Sequence, residues 1–157
     1  MSLPQRKFDF WQEHSLNYLK MAFSMDRREK PKDADAYGKR TGICGDTVEF
    51  FLSIQEGRIQ SVSFDITGCI NTNACANTIA YLAEGKKIED AWKITPDDVI
   101  NFLKTLPSEN YHCAELAAGA FYLALSDNKK REHHRRKQPC TIDGSELTGA
   151  GSEPASA

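Results

Sequence analysis

The sequence predicts an α+β fold in which helices pack on one face of a small antiparallel sheet. Two runs of alternating apolar and polar residues, 48–54 and 62–66, flank a glycine-containing turn at Glu56-Gly57. This pattern predicts a β-hairpin with one apolar face, and we expect a short third strand beside it. After residue 69 the apolar residues recur at helical spacing instead, and strands followed by helices are typical of an α+β domain.

A first helix is predicted ahead of the hairpin. Apolar residues at roughly helical spacing indicate an amphipathic helix there; they are Phe10, Leu16, Leu19 and Phe23. Residues 25–42 follow as a charged, turn-rich connection, which predicts a polar loop between this helix and the hairpin.

The remaining helices follow the hairpin. The first of them is stopped by Gly85, and residues 88–92 indicate a short helix. The next begins at residues 95–98, Thr-Pro-Asp-Asp, which supply a hydroxyl cap, a proline at the first helical position and two acids in the first turn. The last is predicted over residues 111–125.

The character of the chain changes at residue 126, so we predict a domain over residues 1–125 and a tail over residues 126–157. Residues 129–137 are strongly basic, and the rest of the tail is small and polar, which predicts disorder. Aromatic residues do not interleave with the basic ones. A solvated helix end, whose cations complement the helix dipole, is therefore favoured over a nucleic-acid site.

Composition excludes several classes of function. The chain is 40% hydrophobic and 27% charged, with a formal net charge of −2, so it offers no global attraction to nucleic acid or to an acidic membrane. No apolar run approaches the roughly 18 residues of a membrane-spanning helix, and the first residues lack the apolar core of a signal peptide. We therefore predict a cytoplasmic protein.

Five cysteines suit neither a disulfide framework nor a zinc finger. A reducing compartment and an odd count argue against complete pairing, and no two of the cysteines form a Cys-x-x-Cys pair. A shared site would have to be assembled by the fold. The cysteines are Cys44, Cys69, Cys75, Cys113 and Cys140.

Three of these thiols are predicted to meet. Cys44 precedes the first hairpin strand and Cys69 follows the second, so antiparallel pairing places both at one end of the hairpin. Cys69 and Cys113 each stand at the start of a predicted helix, whose positive end favours the thiolate. Asp46 adds a carboxylate on the loop of Cys44, and His112 adds an imidazole. These residues indicate a soft-metal or thiol-chemistry site, although each cysteine alone could be a packed core residue.

The motifs around these residues resemble those of the IscU/NifU-type iron–sulfur cluster assembly scaffolds. They are Cys-Gly-Asp at residues 44–46 before the hairpin, Gly-Cys at 68–69 after it, and His-Cys at 112–113 opening the last helix. The resemblance covers residues 8–125 and implies an IscU/SufE-like fold.

The resemblance also implies a function. The chain would be a scaffold or carrier rather than an enzyme, on which a [2Fe–2S] cluster is built from iron and sulfur supplied by a cysteine desulfurase, then transferred to apo-proteins. Cys44, Cys69 and Cys113 would be the cluster ligands. Asp46 would be the fourth and weaker ligand, with His112 as the alternative, because a hard carboxylate is a looser ligand than a thiolate.

Two glycines are expected to shape the loops that carry these ligands. Gly45 would let the turn present Cys44 and Asp46 to one cluster, and Gly68 would shape the loop before Cys69. Zinc also suits a mostly thiolate site and could occupy a purified sample. Two alternatives therefore stay open: a zinc-binding persulfide acceptor that builds no cluster, and an interaction module whose cysteines only pack.

The chain departs from the family pattern in three places. Leu-Pro-Pro-Val-Lys, the segment that binds an Hsp70-type chaperone, is replaced by Leu-Pro-Ser-Glu-Asn at residues 106–110, which argues against that partner. Cys75 is an extra thiol, interpreted as a small buried helix residue rather than an additional sulfur acceptor. Cys140 is assigned no role.

Overall fold

The computed structural model, which describes residues 14–137, contains a three-stranded antiparallel sheet in the order β1-β2-β3. Strand β1 spans Ala36–Thr41, β2 spans Thr47–Gln55 and β3 spans Arg58–Thr67. The α+β prediction is confirmed, since helices and this sheet together enclose one apolar core.

The predicted hairpin is formed by β2 and β3. Its turn residues Glu56 and Gly57 have φ values of 53° and 75°, the left-handed conformations that a two-residue turn with the twist of the strands requires. Thr47 pairs with Thr67 at the other end of the hairpin. The residues just before β2 and just after β3 therefore lie at the same end of the sheet, as predicted.

The third strand lies where a polar connection was predicted. Residues 36–41 form β1, which pairs with β2 from Ala36↔Leu52 to Thr41↔Thr47. The alternation of buried and exposed residues is weak in β1, where only Ala36 and Gly38 are buried. Pairing with a strongly apolar neighbour, which sequence periodicity does not register, makes this segment a strand.

The free edge of β3 is covered by the chain that precedes β1. The backbone N–H of Phe64 donates to the Arg27 carbonyl at 2.9 Å, and the N–H of Glu29 donates to the Phe64 carbonyl at 3.1 Å. These bonds satisfy backbone groups that an edge strand would otherwise expose.

Five α-helices accompany the sheet within the described residues, together with a 3-10 turn over Ser108–Asn110. The helices are α1 (Leu16–Phe23), α2 (Ile70–Ala83), α3 (Ile88–Ala91), α4 (Pro96–Leu103) and α5 (Tyr111–Lys137). Within residues 14–137 we find no helix that is both long enough and apolar enough to cross a membrane.

The buried face of α1 differs from the predicted one. Leu16 and Phe23 of the predicted stripe are 82% and 48% exposed, and Phe10 lies outside the described residues. The side chains that α1 buries are Tyr18, Met21 and Ala22.

Polar contacts with α2 explain this orientation of α1. The Tyr18 hydroxyl donates to Asn71 Oδ1 at 2.5 Å. The buried Asn73 amide donates to the Ala22 carbonyl at 2.9 Å, and the Asn77 amide donates to the Met21 carbonyl at 2.8 Å. Buried amides must find acceptors, and here those acceptors are carbonyls at the end of α1, so they fix which face turns inward.

The predicted start of α4 is confirmed. Thr95 Oγ1 accepts a hydrogen bond from the Asp98 N–H at 3.2 Å, and Asp98 Oδ2 accepts one from the Thr95 N–H at 2.9 Å. This reciprocal pair is a capping box, with Pro96 at the first helical position.

The last helix is longer than predicted. Helix α5 continues past residue 125 through the basic run to Lys137, where a tail was expected. Lysine, arginine and glutamate are good helix formers. Residues 129–135 are helical and exposed, which agrees with the alternative of a solvated helix end. The chain divides into two compact units between Asp127 and Asn128. Residues 138–157 of the expected tail lie outside the described residues.

Candidate metal centre

Three potential metal ligands meet at the end of the sheet opposite the hairpin turn. One ligand atom from each of Asp46, Cys69 and Cys113 lies within 4.8 Å of the other two. Asp46 ends the β1–β2 loop, Cys69 lies between β3 and α2, and Cys113 lies in the first turn of α5. The pairing of Thr47 with Thr67 brings the first two together.

Cys44 stands outside this group of three. It lies on the same loop as Asp46 and is exposed, but its sulfur is not among the atoms that converge. The loop is closed by hydrogen bonds from the Gly45 N–H to the Gly42 carbonyl at 3.0 Å and from the Gly42 N–H to the Asp46 carbonyl at 2.8 Å. Gly45 has a φ of 89°, a conformation that glycine adopts without steric cost.

The carboxylate of Asp46 points into the centre. Its Oδ2 accepts a hydrogen bond from the Thr72 hydroxyl at 2.7 Å. A Cβ atom on Gly68 would lie 2.6 Å from the same oxygen, closer than real Cβ contacts occur. Gly68 therefore leaves the space that this carboxylate fills.

Cys69 has the more reactive thiol of the two in the group. It is exposed and occupies the N-cap position of α2. Desolvation raises its pKa, but hydrogen bonds from the Thr72 hydroxyl and from the N–H groups of Thr72 and Asn71 outweigh that effect. The pKa of Cys69 is lowered as a result, as the helix-start prediction requires.

Cys113 does not follow that prediction. Its side chain is fully buried, and desolvation together with neighbouring Cys69 raises its pKa, although hydrogen bonds from Thr72 and Asn110 oppose the shift. Burial in an apolar first turn outweighs the helix dipole here. Cys113 therefore stays protonated to a higher pH than an ordinary thiol.

His112 adjoins the centre without joining it. Its Nε2 lies 3.6 Å from Cys113 Sγ, yet the imidazole is not one of the converging ligands. His112 and Cys44 are therefore the two candidates for a further ligand beside the group of three.

The other two cysteines stay apart from the group. Cys75 is fully buried, and its pKa lies well above the usual range, first because of burial and then because of the neighbouring Cys113 and Cys69. This agrees with its interpretation as a buried helix residue. Cys140 lies outside the described residues.

Sequence reasoning missed two polar residues that contact the sulfurs. Thr72 Oγ1 lies 3.5 Å from Cys113 Sγ and 3.6 Å from Cys69 Sγ, and the Asn110 amide lies 4.0 Å from Cys113 Sγ. Each is three positions from a cysteine, a spacing that places side chains together on a helix. A search for polar residues three positions from each cysteine would therefore have found both.

Tyr18 lies near enough to the cysteines for their charges to affect its pKa. Burial raises its pKa to about 12, and the negative charges of Cys75, Cys69 and Cys113 add to the shift.

The donor set suits a thiophilic metal. Ligand atoms about 2.3 Å from one ion lie no more than about 4.6 Å apart, so small rotations would bring the three atoms onto one ion. Two thiolates and a carboxylate fit zinc. Iron in a sulfide-bridged cluster also takes thiolate ligands.

The sequence of this chain is similar to a known domain family and to several named proteins. The sequence model of the NifU-like N terminal domain matches residues 27–135. The "Iron-sulfur cluster assembly scaffold protein IscU 1" of Archaeoglobus fulgidus is 36% identical over 99 residues, covering 62% of this chain and 65% of that protein. The chain thus spans about two thirds of the length of that relative. The IscU scaffold protein of Buchnera aphidicola is 29% identical over 126 residues, which cover 71% of this chain and 98% of the relative.

Two solved structures share the fold. The N-terminal part of a NifU-like protein from Brucella abortus has a TM-score of 0.63 at 14% identity, covering 74% of this chain and 94% of that one. A candidate SUF-system scaffold from Fervidobacterium islandicum has a TM-score of 0.62 at 18% identity, covering 74% and 99%. At these identities the likeness concerns the fold alone.

Proposed function

The chain belongs to the NifU-like N terminal domain family, and from that premise we propose that it is a scaffold for iron–sulfur cluster assembly. In this proposal a [2Fe–2S] cluster is built on it from iron and desulfurase-derived sulfur and then transferred to apo-proteins. Relatives in several organisms are named as assembly scaffold proteins, which supports a carrier rather than an enzyme.

The convergence of Asp46, Cys69 and Cys113 carries the proposal. The three residues come from separate segments of the chain, and their ligand atoms lie within 4.8 Å of one another. Cys44 would complete the ligand set from the exposed loop, where the turn at Gly45 gives it freedom to approach. His112 is the alternative fourth ligand.

Sulfur delivery would begin at Cys69. Its lowered pKa and exposure favour a thiolate that can attack the outer sulfur of a desulfurase persulfide. A new S–S bond then forms on Cys69 while the bond to the desulfurase cysteine breaks, and that cysteine leaves as a thiolate. Two electrons per transferred sulfur, from an external reductant, would convert it to sulfide.

Cluster release would depend on Asp46. A carboxylate is a harder and looser ligand for iron than a thiolate, so its departure would open a coordination position to a thiolate of the acceptor protein.

The described cysteines are all free thiols, which agrees with the reducing cytoplasm we propose as the protein's location.

Metal analysis of anaerobically purified protein tests the proposal. We expect iron and acid-labile sulfide in about equal amounts after reconstitution, with the visible absorption of a [2Fe–2S] cluster. Cys69→Ala should abolish that absorption. Cys75→Ala is the matched control and should retain it, because Cys75 lies outside the converging group.

Other results point elsewhere. Zinc in the native protein, persulfide formation on Cys69 and failure to assemble a cluster would favour a zinc-binding persulfide acceptor, whose tetrahedral site the same donors would fit. Absence of metal under every condition would contradict both and leave an interaction module whose cysteines only pack.

A further inference from the structure

Thr72 occupies the middle of the candidate metal centre. Its side chain is fully buried, and its Oγ1 lies 2.7 Å from Asp46 Oδ2, 3.5 Å from Cys113 Sγ and 3.6 Å from Cys69 Sγ. One hydroxyl thus contacts every member of the converging group, although a threonine oxygen is not itself among the ligands.

The hydroxyl has one proton and several neighbours that could accept it. A carboxylate is a much stronger acceptor than a neutral thiol, and charge-assisted hydrogen bonds are the shorter ones. The 2.7 Å contact with Asp46 is by far the shortest of the three. Thr72 therefore donates to Asp46 in this structure, and its contacts with the two sulfurs are longer.

The two oxygens of Asp46 differ as a result. Oδ2 receives the Thr72 hydrogen bond and faces the backbone of Gly68. Oδ1 carries no such bond within the described residues and keeps both of its lone pairs, whereas Oδ2 keeps one. The hydrogen bond therefore fixes the orientation in which the carboxylate would approach a cation.

We propose that Thr72 is a positioning residue of this centre, whose hydroxyl holds Asp46 inward and fixes the orientation of its carboxylate. This inference rests on the proposed function, since it assumes that Asp46 is a metal ligand. It adds a residue that touches no metal and acts only through Asp46.

Cobalt(II) binding to the full chain is the test. Co²⁺ reports its ligands through thiolate-to-metal charge-transfer bands and through d–d bands that respond to the whole ligand set. Loss of an outer hydrogen-bond partner typically weakens metal binding by about 10- to 100-fold, so we expect Thr72→Val to weaken Co²⁺ binding by about tenfold. The charge-transfer intensity should be unchanged, because no thiolate is lost, while the d–d bands should shift.

Matched variants separate positioning from packing. Thr72→Ser keeps the hydroxyl and should restore both affinity and spectrum. In an Asp46→Ala background, Thr72→Val should change the affinity less than about twofold, because a residue that acts through Asp46 has no effect without it. Thermal unfolding of each variant confirms that the fold is intact.

Two results would overturn the inference while leaving the centre in place. One is wild-type affinity and an unshifted spectrum in Thr72→Val. The other is an equal loss of affinity with and without Asp46, which would assign Thr72 a packing role. Failure of the wild-type protein to bind Co²⁺ would instead contradict the metal centre itself, and this inference would fall with it.

Discussion

The carboxylate of Asp46 fills the space beside the backbone of Gly68. A Cβ on Gly68 would lie 2.6 Å from Asp46 Oδ2 and 2.7 Å from its Cγ. Asp46 directly precedes Thr47 and Gly68 directly follows Thr67, and these two threonines form the last pair of the hairpin. The register of the sheet thus places a carboxylate opposite a residue that must have no side chain.

Gly68→Ala should therefore disturb the metal centre more than the fold. The added methyl would push the carboxylate off its position, because atoms cannot approach to 2.6 Å without a shift. We expect Co²⁺ affinity to fall by about tenfold or more, measured by competition with a chelator.

Gly42→Ala is the control for this change. A Cβ there would meet the flexible Leu116 side chain at 3.3 Å and Cys44 Sγ at 3.6 Å, an ordinary van der Waals contact, and neither contact involves Asp46. Equal affinities in the two variants would mean that the position of Asp46 does not matter for metal binding.

A second close approach joins the sheet to α5. A Cβ on Gly38 would lie 2.3 Å from the Ala124 nitrogen and 2.4 Å from the Ala120 oxygen. Backbone atoms cannot move aside as a side chain can, so Gly38→Ala must separate β1 from the helix. We expect a loss of about 2 kcal/mol or more in the free energy of unfolding.

Urea denaturation measures that loss as a lower midpoint. Lys39→Ala, at the exposed neighbouring position, should stay within about 0.5 kcal/mol of the wild type. A Gly38→Ala midpoint equal to that of Lys39→Ala would show that β1 and α5 can separate at little cost.

The parts of this fold that could be predicted from sequence are those determined by residues close together in the chain. Alternation marks the β2–β3 hairpin, and the Thr-Pro-Asp-Asp start of α4 carries its own capping chemistry. The meeting of Cys69 with Asp46 follows from antiparallel pairing alone.

Other parts depend on contacts between distant segments, which no local pattern encodes. Strand β1 exists because β2 pairs with it, and the face of α1 is set by amides of Asn73 and Asn77 on another helix. The raised pKa of Cys113 follows from its burial, which a helix-start argument does not measure. The outward position of Cys44 depends on the local conformation of a five-residue loop.

The opposite pKa shifts of Cys69 and Cys113 predict an order of alkylation. A lowered pKa gives Cys69 a larger thiolate fraction at neutral pH, and a raised pKa keeps Cys113 protonated until higher pH. Since the thiolate is the nucleophile, iodoacetamide should modify Cys69 with a pH midpoint below that of Cys113.

Mass spectrometry of the digested apo-protein resolves the sites, and Cys75 serves as the internal control. Burial raises its pKa furthest, so it should react last. A lower pH midpoint for Cys113 than for Cys69 would contradict the assignment of Cys69 as the first nucleophile.

Asp46→Ala tests the proposal that Asp46 is the labile ligand. The side chain lies on a loop that is partly exposed, so its loss should leave the fold intact. The variant should still accept iron and sulfide through the thiolates of Cys44, Cys69 and Cys113. It should then transfer the cluster to an apo-ferredoxin more slowly, by about tenfold, because the ligand whose departure opens the site is gone. Transfer is followed by the change in visible absorption as the acceptor is filled.

The cysteine variants provide the contrast in that experiment. Cys44→Ala, Cys69→Ala and Cys113→Ala should each prevent stable assembly, because each removes a strong thiolate bond to iron. Asp33→Ala, which removes an exposed loop carboxylate outside the centre, should transfer at the wild-type rate. Wild-type transfer by Asp46→Ala, with an equally stable cluster, would make the carboxylate a bystander. The fourth position would then pass to His112, whose Nε2 already lies 3.6 Å from Cys113 Sγ.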